Sequence, residues 1–169
     1  MTVELAIKTA LEYEEKVRDI YYENAKKFRD PVAQKIFTVL GDEEQKHVDY
    51  LESRLREWEK TGKVNVENLD TIVPDRRIIA ANVRKLKKRA LVQDYGEEMA
   101  IFKKALELEV ATSNHYKKMV SELPPEDQPL FERFVEIEEG HEMIVQAEID
   151  NAQGLGFWFD FMEFDLEAE

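Results

Sequence analysis

Residues 30–47 of the chain are DPVAQKIFTVLGDEEQKH, a stretch that combines the start of a long helix with two unexpected polar residues. Asp30 followed by Pro31 is typical of a helix beginning, because the Asp side chain caps it and proline fits its first position. Apolar residues spaced by three and four then place one face against a core: Ala33, Phe37, Leu40, Leu51 and Trp58. Glu44 and His47 fall on the same face and interrupt the apolar stripe.

Three further segments show a stripe of this kind, so the sequence predicts an all-α fold, a bundle of four long helices. Glycine and proline are scarce, at 6 and 5 residues, which favours long helices over short strands joined by tight turns. The predicted segments are Thr2 to Arg29, Asp30 to about Gly62, Asp94 to about Pro124, and a fourth after Pro125 that ends near Gly154.

The composition excludes several classes of site. The chain has no cysteine, so disulfides, thiolate catalysis and iron–sulfur clusters are excluded, and any metal must be bound by nitrogen and oxygen. A net charge of −13 argues against a nucleic-acid partner. No apolar run approaches the roughly 20 residues that cross a bilayer. We therefore expect an unprocessed, cytoplasmic protein that does not enter a membrane.

The predicted domain organisation is a single bundle over residues 1–153, with a crossover at 62–93 and an aromatic, acidic tail at 154–169. The long crossover allows the second and third helices to run parallel. An extra helix is predicted from about Asp75 to Leu91, where seven basic residues stand against one acid. Two interpretations of that basic stretch remain open: a solvated helix face, or a docking surface for an acidic partner or the chain's own tail.

The two halves of the chain resemble each other at an offset of 94 or 95 residues. Such a repeat predicts two equivalent helical hairpins that send matching side chains into one centre. The matched pairs are Glu14 with Glu109, Tyr21 with Tyr116, Pro31 with Pro125, Phe37 with Phe131, Glu44 with Glu138, and His47 with His141.

Six of these matched residues carry a carboxylate or an imidazole and lie on the predicted buried faces: Glu14, Glu44, His47, Glu109, Glu138 and His141. Four carboxylates buried without compensation would be strongly destabilising or would stay protonated. Two divalent cations would remove that cost, and each Glu-x-x-His places both of its ligands one turn apart on one face. The sequence therefore predicts a two-metal site. A surface location for these residues would not explain why they interrupt the stripes at matched positions.

On these motifs the chain resembles the rubrerythrin branch of the ferritin-like superfamily, over all four predicted helices. The resemblance implies two iron ions per chain, with manganese or a mixed pair as the alternative, bound by the six residues just named. It implies reaction with hydrogen peroxide or dioxygen. We also expect a homodimer, in which the long crossover would allow helix pairs to be exchanged between subunits. Rubrerythrins usually carry a rubredoxin domain with four cysteines, which this chain lacks, so the electrons would come from a separate donor protein. They also tend to carry a further glutamate one turn after the third-helix ligand, where this chain has Thr112.

The residues around the six predicted ligands are open to more than one interpretation. Tyr21 and Tyr116 either assist the site, by hydrogen bonding to ligand carboxylates or passing electrons, or simply fill the core. His115 is expected not to bind metal, because its position is rotated away from the face of Glu109. Five flanking glutamates are expected to face solvent, although a shift of one residue would bring Glu15 or Glu43 inward: Glu12, Glu15, Glu43, Glu107 and Glu139.

Three functions compete at this stage. The leading hypothesis is a di-iron oxidoreductase of the peroxidase or oxidase type. The first alternative is an iron-binding or storage protein with ferroxidase activity, which would form a large hollow assembly. The second is a metal-free helical adaptor, for which removal of metal would leave the melting temperature unchanged.

Overall fold

The computed structural model describes residues 1–73 and 96–153, and these form four long helices with no strand among them. They are α1 (Val3–Ala25), α2 (Pro31–Thr61), α3 (Gly96–Glu122) and α4 (Pro129–Ala152). The prediction of an all-helical chain is confirmed over these residues, and the arrangement is compatible with a four-helix bundle. The predicted crossover helix and the tail at 154–169 lie outside the described residues.

Local signals fix the ends of the first two helices. The Thr2 side chain caps α1 by accepting from the backbone N–H of Leu5. Asp30 caps α2, accepting from Val32 N at 2.8 Å with Pro31 in the first turn, as the sequence predicts. Gly62 ends α2 in the left-handed conformation, with a φ of 67° that glycine adopts at little cost.

The helix boundaries differ from prediction at two places. α1 ends at Ala25 rather than near Arg29, and Phe28 turns into the core from the connection, where its carbonyl accepts from Gln34. α4 begins at Pro129 rather than directly after Pro125. A turn in which Asp127 N donates to Pro124 O separates it from α3.

Contacts between side chains give the directions of the helices. α1 runs antiparallel to α2, because Arg18 contacts Gln45 and Tyr22 contacts Asp42. α1 also runs antiparallel to α3, since Tyr21 contacts Glu109 while the earlier Glu14 contacts the later Tyr116. The helices α2 and α3 therefore run in the same direction.

The described part of the crossover, residues 62–73, returns along α2 without helical structure. Tyr50 Oη donates to the carbonyl of Glu67 at 2.9 Å, and Arg54 donates to the carbonyl of Asn65 at 2.8 Å. Further along, Thr71 reaches Glu43 near the middle of α2. The connection thus covers one face of α2 beside the bundle centre.

Two apolar clusters fill the interior on either side of the bundle's middle. The Phe37 cluster includes Phe28, Phe37, Leu40, Phe102 and Ile144. The Phe134 cluster includes Ile7, Leu51, Met119, Phe131 and Phe134. None of the helices in 1–73 and 96–153 is both long and apolar enough to cross a lipid bilayer.

Candidate metal centre

The six residues predicted as metal ligands lie between the two apolar clusters, and all six are fully buried. One comes from the middle of α1, one from α3, and two each from α2 and α4, because each Glu-x-x-His spans one helical turn. The structure brings all six together: Glu14, Glu44, His47, Glu109, Glu138 and His141.

Their ligand atoms form two groups of four that share Glu44 and Glu138. The first group adds Glu14 and His47, and the second adds Glu109 and His141. Within each group, one nitrogen or oxygen from every residue lies within 4.8 Å of the others. Two shared carboxylates with one further carboxylate and one imidazole on each side form a donor set able to hold metal.

His47 shows why these atoms do not satisfy one another. Its Nδ1 lies 3.1 Å from Glu14 Oε2, 3.0 Å from Glu44 Oε2 and 3.3 Å from Glu138 Oε1. A ring nitrogen carries at most one proton, so it cannot donate fully to three carboxylates. The four groups surround a common point, as the ligands of one cation do.

The second group contains atoms without any hydrogen bond among the described residues. His141 Nδ1 lies 2.8 Å from Glu44 Oε1 as an ion-pair contact, but neither atom has a hydrogen bond of regular geometry. Glu109 Oε2 and both carboxylate oxygens of Glu138 are likewise without a partner. Buried polar atoms are nearly always paired, so this concentration of unpaired ones fits a site that receives cations.

Burial and mutual repulsion control the protonation of the centre. Burial, reinforced by the nearby carboxylates of Glu138 and Glu44, raises the pKa of Glu14 well above its ordinary value. Burial also raises the pKa of Glu109. Burial alone would raise the pKa of Glu44 too, but His141 and His47 hold it well below the ordinary range.

The two imidazoles respond in the opposite sense to their burial. Burial would lower the pKa of His47, but the carboxylates of Glu44 and Glu14 raise it well above the ordinary value. Glu44 has the same effect on the pKa of His141. Without metal, the centre therefore carries protons that a divalent cation would displace.

Two buried tyrosines connect the centre to the apolar clusters. Tyr21 Oη on α1 donates to Glu109 on α3, and Tyr116 Oη on α3 donates to Glu14 on α1. Each hydroxyl thus orients the carboxylate of the other helix. Of the two interpretations of these tyrosines, the contacts match hydrogen bonding to the predicted ligands.

Glu43 corrects one prediction, because it is buried rather than solvent-facing. It does not join the metal groups. Its carboxylate accepts from Lys46, from the Thr71 hydroxyl and from Ile72 N, so the crossover covers it. Burial opposes ionisation here, but the bonds from Lys46 and Thr71 lower the pKa of Glu43 overall. Helical spacing could not reveal this, since the covering segment has no periodic pattern.

The other flanking residues lie near their predicted places. Glu12, Glu15 and Glu107 are exposed, while Glu139 is half-buried and pairs with Lys117 at 2.8 Å. His115 is absent from both metal groups and stacks on Tyr13, with ring centroids 4.2 Å apart. Two other buried side chains carry hydroxyl groups, Thr112 and Ser113. The apolar stripe of the third helix predicts the burial of Thr112, whereas sequence reasoning indicated nothing for Ser113.

Comparison with known proteins identified no relative of the chain. No protein-family model, curated protein or solved structure matches the chain.

Proposed function

We propose that the chain is a rubrerythrin-like, non-haem di-iron oxidoreductase that reacts with hydrogen peroxide or dioxygen, on a ferritin-like bundle of two repeated hairpins. The observation that carries the proposal is the pair of buried four-residue groups sharing Glu44 and Glu138. A two-metal centre needs bridging ligands, and two carboxylates common to both groups are suited to that role. A metal-free adaptor would gain nothing from burying these six side chains together.

The donor set favours a redox-active first-row metal. Four carboxylates and two imidazoles suit iron or manganese, whereas sites for softer ions use the thiolates that this chain lacks. We propose two iron ions per chain, with manganese or a mixed pair as the alternative that metal analysis would identify.

When bound, two ferrous ions would supply the two electrons that, with two protons, reduce one peroxide to two waters. The chain's own residues hold the geometry for that reaction. Glu44 and Glu138, which belong to both groups, would help to hold both ions. Tyr21 and Tyr116 orient the two outer carboxylates, those of Glu109 and Glu14, each of which belongs to one group only. The Phe37 and Phe134 clusters exclude water from both ends of the centre.

Turnover requires a supply of electrons from outside the chain. The sequence has no cysteine with which to bind an iron–sulfur or rubredoxin-type centre of its own. We therefore propose that a separate donor protein reduces the ferric centre, and that the chain acts as a homodimer.

The test begins with anaerobic loading of the metal-free protein with ferrous iron, followed by peroxide or dioxygen in stopped flow. We expect uptake of about two ions per chain and rapid oxidation by one of these oxidants. The double variant Glu14→Gln/Glu109→Gln should lose both properties. The exposed pair two residues earlier, Glu12→Gln/Glu107→Gln, is the matched control and should keep both.

Three results would contradict the proposal. Uptake of many ions per chain by a large hollow assembly would indicate iron storage. A melting temperature that does not change when metal is removed would favour the metal-free adaptor. Stoichiometric iron that reacts with neither oxidant would remove the redox function.

A further inference from the structure

Thr112 breaks the correspondence between the two halves of the centre. At an offset of 95 residues, Glu14 corresponds to Glu109 and Tyr21 to Tyr116, and between them Val17 corresponds to Thr112. Both Val17 and Thr112 are buried. A hydroxyl therefore occupies on α3 the place that a methyl group occupies on α1.

These two residues lie at the middle of the contact between α1 and α3. The bonds from Tyr21 to Glu109 and from Tyr116 to Glu14 cross between the two antiparallel helices on either side of them. Thr112 is three residues after Glu109 and four before Tyr116, so it shares their helical face. Thr112 therefore lies on the face of α3 that carries Glu109 into the centre.

The hydroxyl of Thr112 is fully buried and has no hydrogen-bond partner among residues 1–73 and 96–153. Other helical threonines in this chain behave differently. Thr9, Thr38 and Thr61 each donate to the carbonyl four residues earlier, at 2.8, 2.9 and 2.9 Å. A buried hydroxyl without a hydrogen bond destabilises the fold, and valine has nearly the same shape without that cost. The presence of threonine at position 112 therefore indicates a hydrogen-bond partner that does not belong to the described residues.

The α1/α3 side is where such a partner would bind. Both imidazoles come from α2 and α4, so α1 and α3 contribute only Glu14 and Glu109 to the two metal groups. The tyrosine hydroxyls on this side are already committed to those carboxylates. Thr112 thus offers a hydroxyl without a hydrogen-bond partner among the described residues on the side of the centre where no imidazole contributes.

We propose that the Thr112 hydroxyl binds the small oxygen ligand of the centre, namely water, hydroxide, peroxide or dioxygen held at the metal ions. The assignment rests on the proposed function. Only α3 would contribute such a hydrogen bond, because the equivalent residue on α1, Val17, has no polar side-chain atom.

Ser113 is the competing hydroxyl, because it too is buried without a partner among the described residues. Its counterpart on α1 is Arg18, which donates to Gln45 of α2. By the same correspondence Ser113 faces α4 rather than the middle of the α1/α3 contact. Ser113→Ala is therefore the matched control for Thr112→Val.

The probe is azide, a small anion that accepts hydrogen bonds, titrated into the iron-loaded, oxidised protein and followed by absorption. Thr112→Val should bind azide about tenfold more weakly, the effect expected for one hydrogen bond to an anion. Thr112→Ser should retain most of the affinity, and Ser113→Ala should match the unmodified chain. Iron content is measured for every variant, so that failure to load metal is recognised as failure of the proposed function itself.

A second readout separates ligand binding from a structural role. In the metal-free protein, Thr112→Val should unfold at the same denaturant concentration as the unmodified chain or at a higher one, because it removes an unpaired polar group. Equal azide affinity in Thr112→Val and the unmodified chain would overturn the assignment. A loss of azide affinity in Ser113→Ala alone would also overturn it. So would a Thr112→Val variant that binds iron more weakly but azide as before, because Thr112 would then act by orienting Glu109.

Discussion

In the Phe37 cluster, the rings of Phe28, Phe37 and Phe102 pack with centroids 4.5 to 5.5 Å apart, and these three side chains have no polar atom. About two helical turns along α2, the candidate metal centre buries six ionisable side chains, several of whose atoms have no hydrogen bond within the described residues. The same four helices thus contain one region that is well packed without a ligand and another whose polar atoms lack partners until a ligand binds. We infer that the apolar clusters supply the stability that lets the centre stay unsatisfied until metal binds.

The largest effect should come from the apolar side of this comparison. Phe37→Ala removes a fully buried ring and should cost about 3–5 kcal/mol of unfolding free energy, with or without metal. Urea unfolding of both forms measures it. Val110→Ala, at a side chain 39% exposed, is the control and should change stability by less than about 0.5 kcal/mol. A loss confined to the metal-loaded form would contradict the separation of the two regions.

Substitution of an outer carboxylate should affect only the metal-dependent part of stability. Burial raises the pKa of Glu14, so its protonated form resembles glutamine and Glu14→Gln should leave the metal-free protein about as stable as before. Stabilisation by the ion that Glu14 helps to hold, about 2.7 kcal/mol at a concentration a hundred times its Kd, should disappear, whereas the group of Glu109 and His141 keeps all four of its residues. Thermal unfolding with and without ferrous iron measures this stabilisation, and Glu12→Gln, at an exposed side chain, is the control. Full stabilisation of Glu14→Gln by iron would exclude that carboxylate from the site.

The tyrosines connect the two regions, since their rings pack in the apolar clusters and their hydroxyls contact the centre. Tyr21→Phe and Tyr116→Phe should each lower metal affinity by about 10- to 100-fold, because an outer carboxylate loses its orienting hydrogen bond. Competition with a chelator gives the affinity. Tyr22→Phe, which loses only a surface bond to Asp42, is the control. Unequal effects of the first two variants would show that the halves are not equivalent.

The smallest of these effects should be the change in metal affinity with pH, which should be gradual. Burial raises the pKa of Glu14 and Glu109, and neighbouring carboxylates raise that of His47 and His141 despite burial. These groups hold protons at low pH, so an ion must displace them, and affinity should rise with pH by up to about tenfold per unit for each proton displaced. Calorimetry in buffers of different ionisation enthalpy counts the protons released. A metal affinity that does not change across neutral pH would contradict the claim that the metal-free centre holds protons.

Much of the fold and the positions of the candidate ligands could be predicted because both depend on helical spacing. A stripe of period three and four specifies which face is buried, and Glu14 or His141 on such a stripe must enter the core. Asp30 and Gly62 mark helix ends through their own local chemistry.

The features that could not be predicted depend on contacts between distant segments. The burial of Glu43 follows from Thr71 and Ile72, which lie 28 and 29 residues away in a segment without periodicity. The unpaired hydroxyl of Thr112 is visible only when every nearby acceptor has been placed. The early end of α1, with Phe28 turned back into the core, depends on the connection to α2.

The most direct test of the central claim is anomalous diffraction from crystals of the iron-loaded protein, recorded on both sides of the iron absorption edge. We expect two iron peaks about 4 Å apart, one near Glu14 and His47 and one near Glu109 and His141, with Glu44 and Glu138 between them. A bundle centre without an anomalous peak, or iron bound only at surface carboxylates, would contradict it.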